Sequence, residues 1–219
     1  MDEFITVLVR FKVWGRGRFL SHAETLRMFQ RACVRAEIDV AHSQGFNPRP
    51  KMSLPLPRSV GVESDDELFC FRLGCSGAEF DAERIKEGLG RELPGGFEVF
   101  SVDFVTGKVN VEAEIVSYEI RAKMEFVGAE LEGRIKVLLS GEPVVVERRI
   151  NDRGMTKKRD VSCFLKSIIL KDDGLIEAKC RNGAAGSVRI DELLQLLGLG
   201  YDKVAGAVKR VSVEWSGLN

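Results

Sequence analysis

Residues 4–24 read Phe4-Ile5-Thr6-Val7-Leu8-Val9-Arg10-Phe11-Lys12-Val13-Trp14-Gly15-Arg16-Gly17-Arg18-Phe19-Leu20-Ser21-His22-Ala23-Glu24, and two patterns of different period meet in them. Up to Trp14 the chain alternates and is rich in Val, Ile and Phe, which predicts a strand. Ser21 followed three residues later by Glu24 is a capping box. Leu26, Phe29, Cys33 and Ala36 then recur at helical spacing, so a helix is predicted over 21–37.

Outward from this pair, residues 51–56 alternate again, with prolines that imply an edge position or early termination. The aromatic content of 67–73 predicts a strand. Residues 81–89 read as a helix, Pro94-Gly95-Gly96 as a turn and 97–105 as a closing strand. The order β-α-β-β-α-β is the split βαβ plan of a ferredoxin-like fold, with helices on one face of an antiparallel sheet. After a linker near Thr106-Gly107-Lys108, strands are predicted over 112–125, 143–150, 175–181 and 208–215, and a helix over 191–197. Residues 130–139 fit a helix or a further strand, and 157–170 a strand with a short helix. The expected fold class is α+β: two ferredoxin-like units in tandem, residues 1–106 and 110–219, the second elaborated. No sequence repeat links the halves, so their similarity rests on element order.

The bulk numbers narrow the function classes. A chain of 219 residues, 44% apolar and 30% charged, has the composition of a globular protein with room for one large or two modest cores. No apolar run approaches the roughly 18 residues of a membrane span. The acidic start Met1-Asp2-Glu3-Phe4 lacks the pattern of a signal peptide, so a cytoplasmic location is expected. Cys33, Cys70, Cys75, Cys163 and Cys180 are odd in number and include no Cys-x-x-Cys, which points away from a disulfide framework and a metal or iron–sulfur site. The expectation is no cofactor and no metal. The net charge of zero hides an asymmetry: residues 1–60 hold ten Lys/Arg against five Asp/Glu, and residues 61–119 hold five against fourteen. A neutral chain with a basic first quarter can still present a phosphate-attracting patch.

Candidate site residues concentrate in that quarter. Arg27, Arg31 and Arg35 recur at four-residue steps on one helix face, and Arg16 and Arg18 extend the ridge. Guanidinium forks match phosphate oxygens, while the plainer reading is a solvated face paired with acids. Ser21 and His22 sit where backbone N–H groups await an anion, although Ser21 also serves simply as the N-cap. The run Ser43-Gln44-Gly45-Phe46-Asn47-Pro48-Arg49-Pro50-Lys51 combines a glycine that tolerates positive φ with two stiffening prolines and the polar or cationic side chains of Gln44, Asn47, Arg49 and Lys51 around one aromatic. Phe46 either stacks on a base or anchors the loop in the core. His22 and His42 are the weak candidates for acid–base catalysis, with no nucleophile or carboxylate motif beside them. Arg148-Arg149 with Arg153 and Lys157-Lys158-Arg159 forms a second basic patch or a solvated hairpin tip. Gly183-Ala184-Ala185-Gly186-Ser187 is read as a turn, capped at Ser187 or Asp191, more readily than as an anion cradle.

Arg18-Phe19-Leu20-Ser21-His22, Arg27, Arg31-Ala32, Ser43-Gln44-Gly45-Phe46-Asn47-Pro48 with Pro50-Lys51, and Gly61-Val62-Glu63-Ser64 together resemble the radical SAM-linked proteins. These are a bacterial domain of unknown function found fused to or encoded beside B12-binding radical SAM proteins. A weaker echo follows at Gly186-Ser187-Val188-Arg189. The chain departs from that pattern at Ala23-Glu24, where Leu-Asp is usual, at His42 for Tyr, and at Arg49 for His; a Thr is also missing after Arg210. The resemblance implies work alongside a radical SAM enzyme on a separate chain, because no Cys-x-x-x-Cys-x-x-Cys occurs here.

The expected function is therefore a non-catalytic RNA-binding or substrate-presenting accessory module. Phosphate contacts would come from Arg16, Arg18, Arg27, Arg31, Arg49 and Lys51, and selective contacts from His22, Gln44, Phe46 and Asn47. Two alternatives stand beside it. One is a metal-independent RNA-processing enzyme using His22 and His42; the other is a protein-docking module presenting Glu63, Asp65, Asp66 and Glu67.

Overall fold

The alternation in residues 4–14 folds as β1 (Ile5–Val13) in a computed structural model that describes residues 4–74, 81–149 and 155–218. Residues 1–3, Cys75, Ile150 and Arg153, all used above, lie outside the described residues. The chain divides into two compact units, Met1–Ala113 with Trp215–Asn219, and Glu114–Glu214. Both mix helices with mostly antiparallel strands, as the predicted α+β class requires.

In the first unit β1 is followed by α1 (His22–Arg35), β2 (Met52–Ser53), β3 (Glu63–Arg72), α2 (Ala82–Glu92) and β4 (Phe97–Thr106). The strand order is β2-β3-β1-β4, and each neighbouring pair is antiparallel. Alternation sends Val7, Val9, Phe11 and Val13 to one face, where Phe29, Ala32 and Cys33 of α1 and Ile85 and Leu89 of α2 join them. Phe29 stands edge-on to Phe11 at 4.7 Å and stacks on Phe69 at 4.4 Å, so the ring geometry and the burial of apolar area act together. The opposite face holds Leu8, Leu68 and Cys70, packed by Val105, Val111, Trp215 and Leu218.

Two strands differ from expectation. The one predicted over 51–56 stops at Ser53, because Pro55 and Pro57 have no N–H to give to a ladder. The one predicted from residue 67 begins at Glu63, because its acids are strand residues. Asp66 and Glu67 are buried, Arg10 donates to both oxygens of Asp66 at 3.0 and 3.2 Å, and Arg18 donates to Glu63 at 3.0 Å. That segment does not present the exposed acidic face that the docking alternative requires.

The second unit comprises β5 (Glu112–Arg121), α3 (Ala129–Leu138), β6 (Val145–Arg149), β7 (Thr156–Asp160), β8 (Leu165–Leu170), β9 (Leu175–Gly183), β10 (Gly186–Ser187), α4 (Ile190–Leu196) and β11 (Lys209–Ser216). Residues 130–139 are thus helical, with Leu131, Ile135 and Leu138 buried at helical spacing. Strands run β8-β9-β5-β11, β10 pairs with the end of β9, and β6 and β7 form a separate two-stranded ribbon. Ile120, Ile176, Ile190, Leu193 and Leu197 are its fully buried centre. Among the described residues no helix is long and apolar enough to cross a membrane.

One buried cation fixes the entry to α1. The Arg58 guanidinium donates to the carbonyls of Val62 at 2.7 Å, Arg18 at 2.8 Å, Leu20 at 3.2 Å and Gly17 at 3.4 Å. Gly61 N adds a bond to the Arg18 carbonyl at 2.8 Å. Gly17 allows the turn to lie against Phe97, since a Cβ there would meet that ring at 2.7 Å. Arg58→Met removes several charge-assisted bonds and leaves carbonyls without a donor, a loss of roughly 3 kcal/mol or more. Arg58→Lys should recover only part, lacking the fork. Urea unfolding of the three proteins measures this, and a loss below about 1 kcal/mol in Arg58→Met would contradict the cage.

Candidate nucleic-acid interface

After α1 the chain turns back on itself. Val40 bridges Leu73 and His42 bridges Pro50. Ser43 N donates to the Arg49 carbonyl at 2.8 Å, Arg49 N donates to Ser43 Oγ at 2.9 Å, and Lys51 N donates to the Ala41 carbonyl at 2.7 Å. Residues 44–48 therefore project as a short loop closed at its neck, with Gly45 at φ 132° making the turn. Phe46 at its tip is fully exposed. The core-anchor reading of Phe46 is overturned: the neck bonds hold the loop without it, and it forgoes the roughly 1.5–3 kcal/mol that burying a Phe provides. Gln44, Asn47, Arg49 and Lys51 are exposed around it. At the foot of the loop lies a cleft of about 680 Å³ whose lining includes Phe4, Asp39, His42, Gln44, Lys51 and Arg72.

The other end of the first unit holds Arg16, Arg18, Ser21 and His22. Ser21 caps α1: its Oγ accepts from Glu24 N at 3.3 Å, and Glu24 Oε2 accepts from Ser21 N at 2.8 Å and from Ser21 Oγ at 2.6 Å. Those bonds, the Ser21 hydroxyl first, hold the Glu24 carboxyl below its usual range. The helix N-terminus is thus already occupied by a carboxylate of the chain itself, which displaces the anion-site reading of Ser21. Arg18 is committed as well, bonded to Glu63 and standing 4.7 Å from the Phe19 ring. Arg16 and His22 are exposed.

Along α1, Arg35 leaves the ridge. Its Nε donates to Glu92 Oε2 and its Nη2 to the Glu92 carbonyl, both at 2.7 Å. Arg27 and Arg31 remain exposed and, among the described residues, take part in no ion pair. They line a groove of about 470 Å³ with Leu20, Met28 and Leu93.

The two histidines are not brought together. The antiparallel register sets Val13 against Ser64 at one end of the sheet and Thr6 against Arg72 at the other. His22 belongs to the first end and His42 to the second, separated by α1, whose 14 residues span about 20 Å. A paired acid and base built from them has no geometry here.

In the second unit the basic cluster separates into pins and exposed cations. Arg148 donates to Glu192 through Nε at 2.7 Å and Nη2 at 2.8 Å, and to the Ser187 carbonyl. Arg159 donates to the Ala185 carbonyl and faces the Phe164 ring at 5.7 Å. The glycine-bearing turn is therefore filled by Arg159, and α4 is capped by Glu192, whose carboxylate accepts from Arg189 N at 2.8 Å, rather than by Ser187 or Asp191. Arg149, Lys157 and Lys158 are exposed on the ribbon.

Arg58 and Arg72 were the residues the sequence did not flag. Each is a single arginine with no motif around it, and only the fold supplies its partners. The family described as "Uncharacterized protein conserved in bacteria (DUF2344)" matches residues 6–190, a stretch that contains the loop, the ridge and the ribbon. The chain belongs to that family. No curated protein matches it. Among the described residues no three His, Cys, Asp or Glu side chains are grouped to hold a metal ion. Cys33, Cys70 and Cys180 of this DUF2344 chain are core thiols that burial pushes up to about 12, out of nucleophile range at neutral pH.

The Arg148–Glu192 pair carries a pH signature. Burial pushes the Glu192 carboxyl up, but the Arg148 bonds and the Arg189 amide outweigh it and leave it lowered. A depressed folded value adds stability that is complete above the unfolded value of about 4.3 and is lost as pH falls through the folded one. Arg148→Met should cost roughly 1–3 kcal/mol at pH 7, the pair being partly exposed. The gap between its urea midpoint and that of the unaltered protein should narrow as pH falls below about 4.3, leaving the share that the Ser187 carbonyl bond contributes; an equal gap at acid and neutral pH would contradict the assignment.

Proposed function

We propose that this chain is a non-catalytic RNA-binding or substrate-presenting accessory module that works in the cytoplasm beside a radical SAM enzyme, built as two ferredoxin-like units in tandem. The observation that carries the binding reading is the fully exposed Phe46 on a loop held at its neck and ringed by Gln44, Asn47, Arg49 and Lys51. An aromatic face beside cations suits an unstacked base and its flanking phosphates. Exposed Arg27 and Arg31 add phosphate contacts that do not read sequence. Support for the tandem plan comes from element order. The first unit runs β1-α1-β2-β3-α2-β4 with strands ordered β2-β3-β1-β4, and the second runs β5-α3-β8-β9-α4-β11 with strands ordered β8-β9-β5-β11. The radical SAM partner rests on the sequence resemblance alone; any iron–sulfur cluster would belong to that partner.

Single-stranded RNA titrated by fluorescence anisotropy at several salt concentrations tests the reading. Phe46→Ala should weaken binding by about 5- to 150-fold, the value of one stacked base, with the salt slope retained. Arg27→Ala with Arg31→Ala should instead lower the slope of log K against log salt by about 1.4, two phosphate contacts. No affinity at low salt, or affinity untouched by Phe46→Ala, would reject the loop as an RNA surface.

A further inference from the structure

The rim of the first sheet sets two cations against each other. Met52 is registered with Phe71, and the Arg72 amide donates to the Lys51 carbonyl at 3.0 Å, so Lys51 and Arg72 are cross-strand neighbours. Met52 and Phe71 belong to the core side, which turns Lys51 and Arg72 to the opposite face, where both line the cleft below the Phe46 loop. Like charges directly opposite one another destabilise a sheet. Among the described residues neither is in an ion pair that would relieve the repulsion. Arg72 is instead held by an aromatic face, its guanidinium carbon 3.7 Å from the centre of the Phe4 ring. Stacking of that kind fixes the plane of the fork and leaves its N–H donors directed along the plane. His42 and Gln44 add polar groups to the same wall. Among the described residues that line the cleft the acid is Asp39, whose carboxylate is packed against Gly74, beside the two permanent cations. The cleft, at about 680 Å³, lies within the range of small-ligand sites.

We infer that this cleft is a phosphate site for a nucleotide, with the Arg72 fork and the Lys51 ammonium sharing the phosphate oxygens. The phosphate belongs either to a free mononucleotide or to a strand whose base lies on Phe46; the strand form rests on the RNA reading above, and the free form does not.

The test uses the full chain with inorganic phosphate and adenosine monophosphate, followed by phosphorus NMR and thermal melting. Adenosine monophosphate should bind at millimolar or lower concentration, and Lys51→Met and Arg72→Gln should each weaken it at least tenfold. Relief of like-charge repulsion should raise the melting temperature of Lys51→Met by roughly 1–3 °C in phosphate-free buffer, an advantage that saturating ligand removes. Absence of binding by either probe, or binding retained in both variants, overturns the site. If the same two substitutions each lower the RNA salt slope by about 0.7, the phosphate is that of a strand. An unchanged slope with lost nucleotide binding assigns the cleft to the free nucleotide. Nucleotide binding that depends on Lys51 and Arg72, in a protein with no RNA affinity, would uphold the cleft while the RNA reading fails.

Discussion

A guanidinium removed from water has to find acceptors, and in this protein Arg58 finds them in the backbone of a segment that has little regular structure of its own. The carbonyls of Gly17, Arg18, Leu20 and Val62 converge on it, which satisfies the buried charge and gives the Leu20 and Val62 carbonyls a donor, while those of Gly17 and Arg18 also accept from Leu20 N and Gly61 N. The turn so fixed delivers the chain to Ser21, where the capping box starts α1. The direction of α1 decides which residues enter the phenylalanine core and which face water. Phe29 and Cys33 go inward, and Arg27 and Arg31 are left outside. The exposed ridge is thus a consequence of the buried cation as much as of the helical period.

The same accounting separates the arginines of the chain into two populations that look alike in the sequence. Arg10, Arg18, Arg35, Arg121, Arg134 and Arg148 are in ion pairs with Asp66, Glu63, Glu92, Asp173, Glu130 and Glu192. Arg58 and Arg159 bind backbone carbonyls. Arg16, Arg27, Arg31, Arg49, Arg72 and Arg149 enter no ion pair among the described residues. Spacing cannot make this division. Arg27, Arg31 and Arg35 share one four-residue step, yet Arg35 alone meets α2, because Glu92 stands where the end of α1 passes it.

Local periodicity made the strands, the helices and their order legible in the first hundred residues, since alternation and helical spacing are properties of the chain itself. Three readings depended on partners far along the sequence and were not legible. The acids Glu63–Glu67 look like a solvated run until β3 pairs them beside Arg10 and Arg18. Phe46 by composition favours the core, and only the closed neck at Ser43 and Arg49 shows that the loop stands without that anchor. Arg72 ends an apolar strand and resembles an ordinary strand terminus; its neighbours Lys51 and Phe4 lie far off in the chain and are brought to it by the sheet.

The placement of the exposed basic segments follows from the economics of the fold. In each unit the irregular excursion leaves the frame between the first helix and the strand after it: residues 36–51 between α1 and β2, and the β6–β7 ribbon between α3 and β8. A connection there begins and ends at the sheet rim, so lengthening it disturbs no ladder bond and adds only a slowly growing closure cost. Each excursion is then tied down near its base by a few polar bonds, Ser43 to Arg49 in one and Arg148 to Glu192 in the other. Cations beyond those ties, Arg49 in the first and Arg149, Lys157 and Lys158 in the second, contribute nothing visible to packing. A charge that the fold neither buries nor pairs among the described residues is free to meet a ligand, and both excursions carry such cations beside an exposed acid, Glu37 in the first and Glu147 in the second.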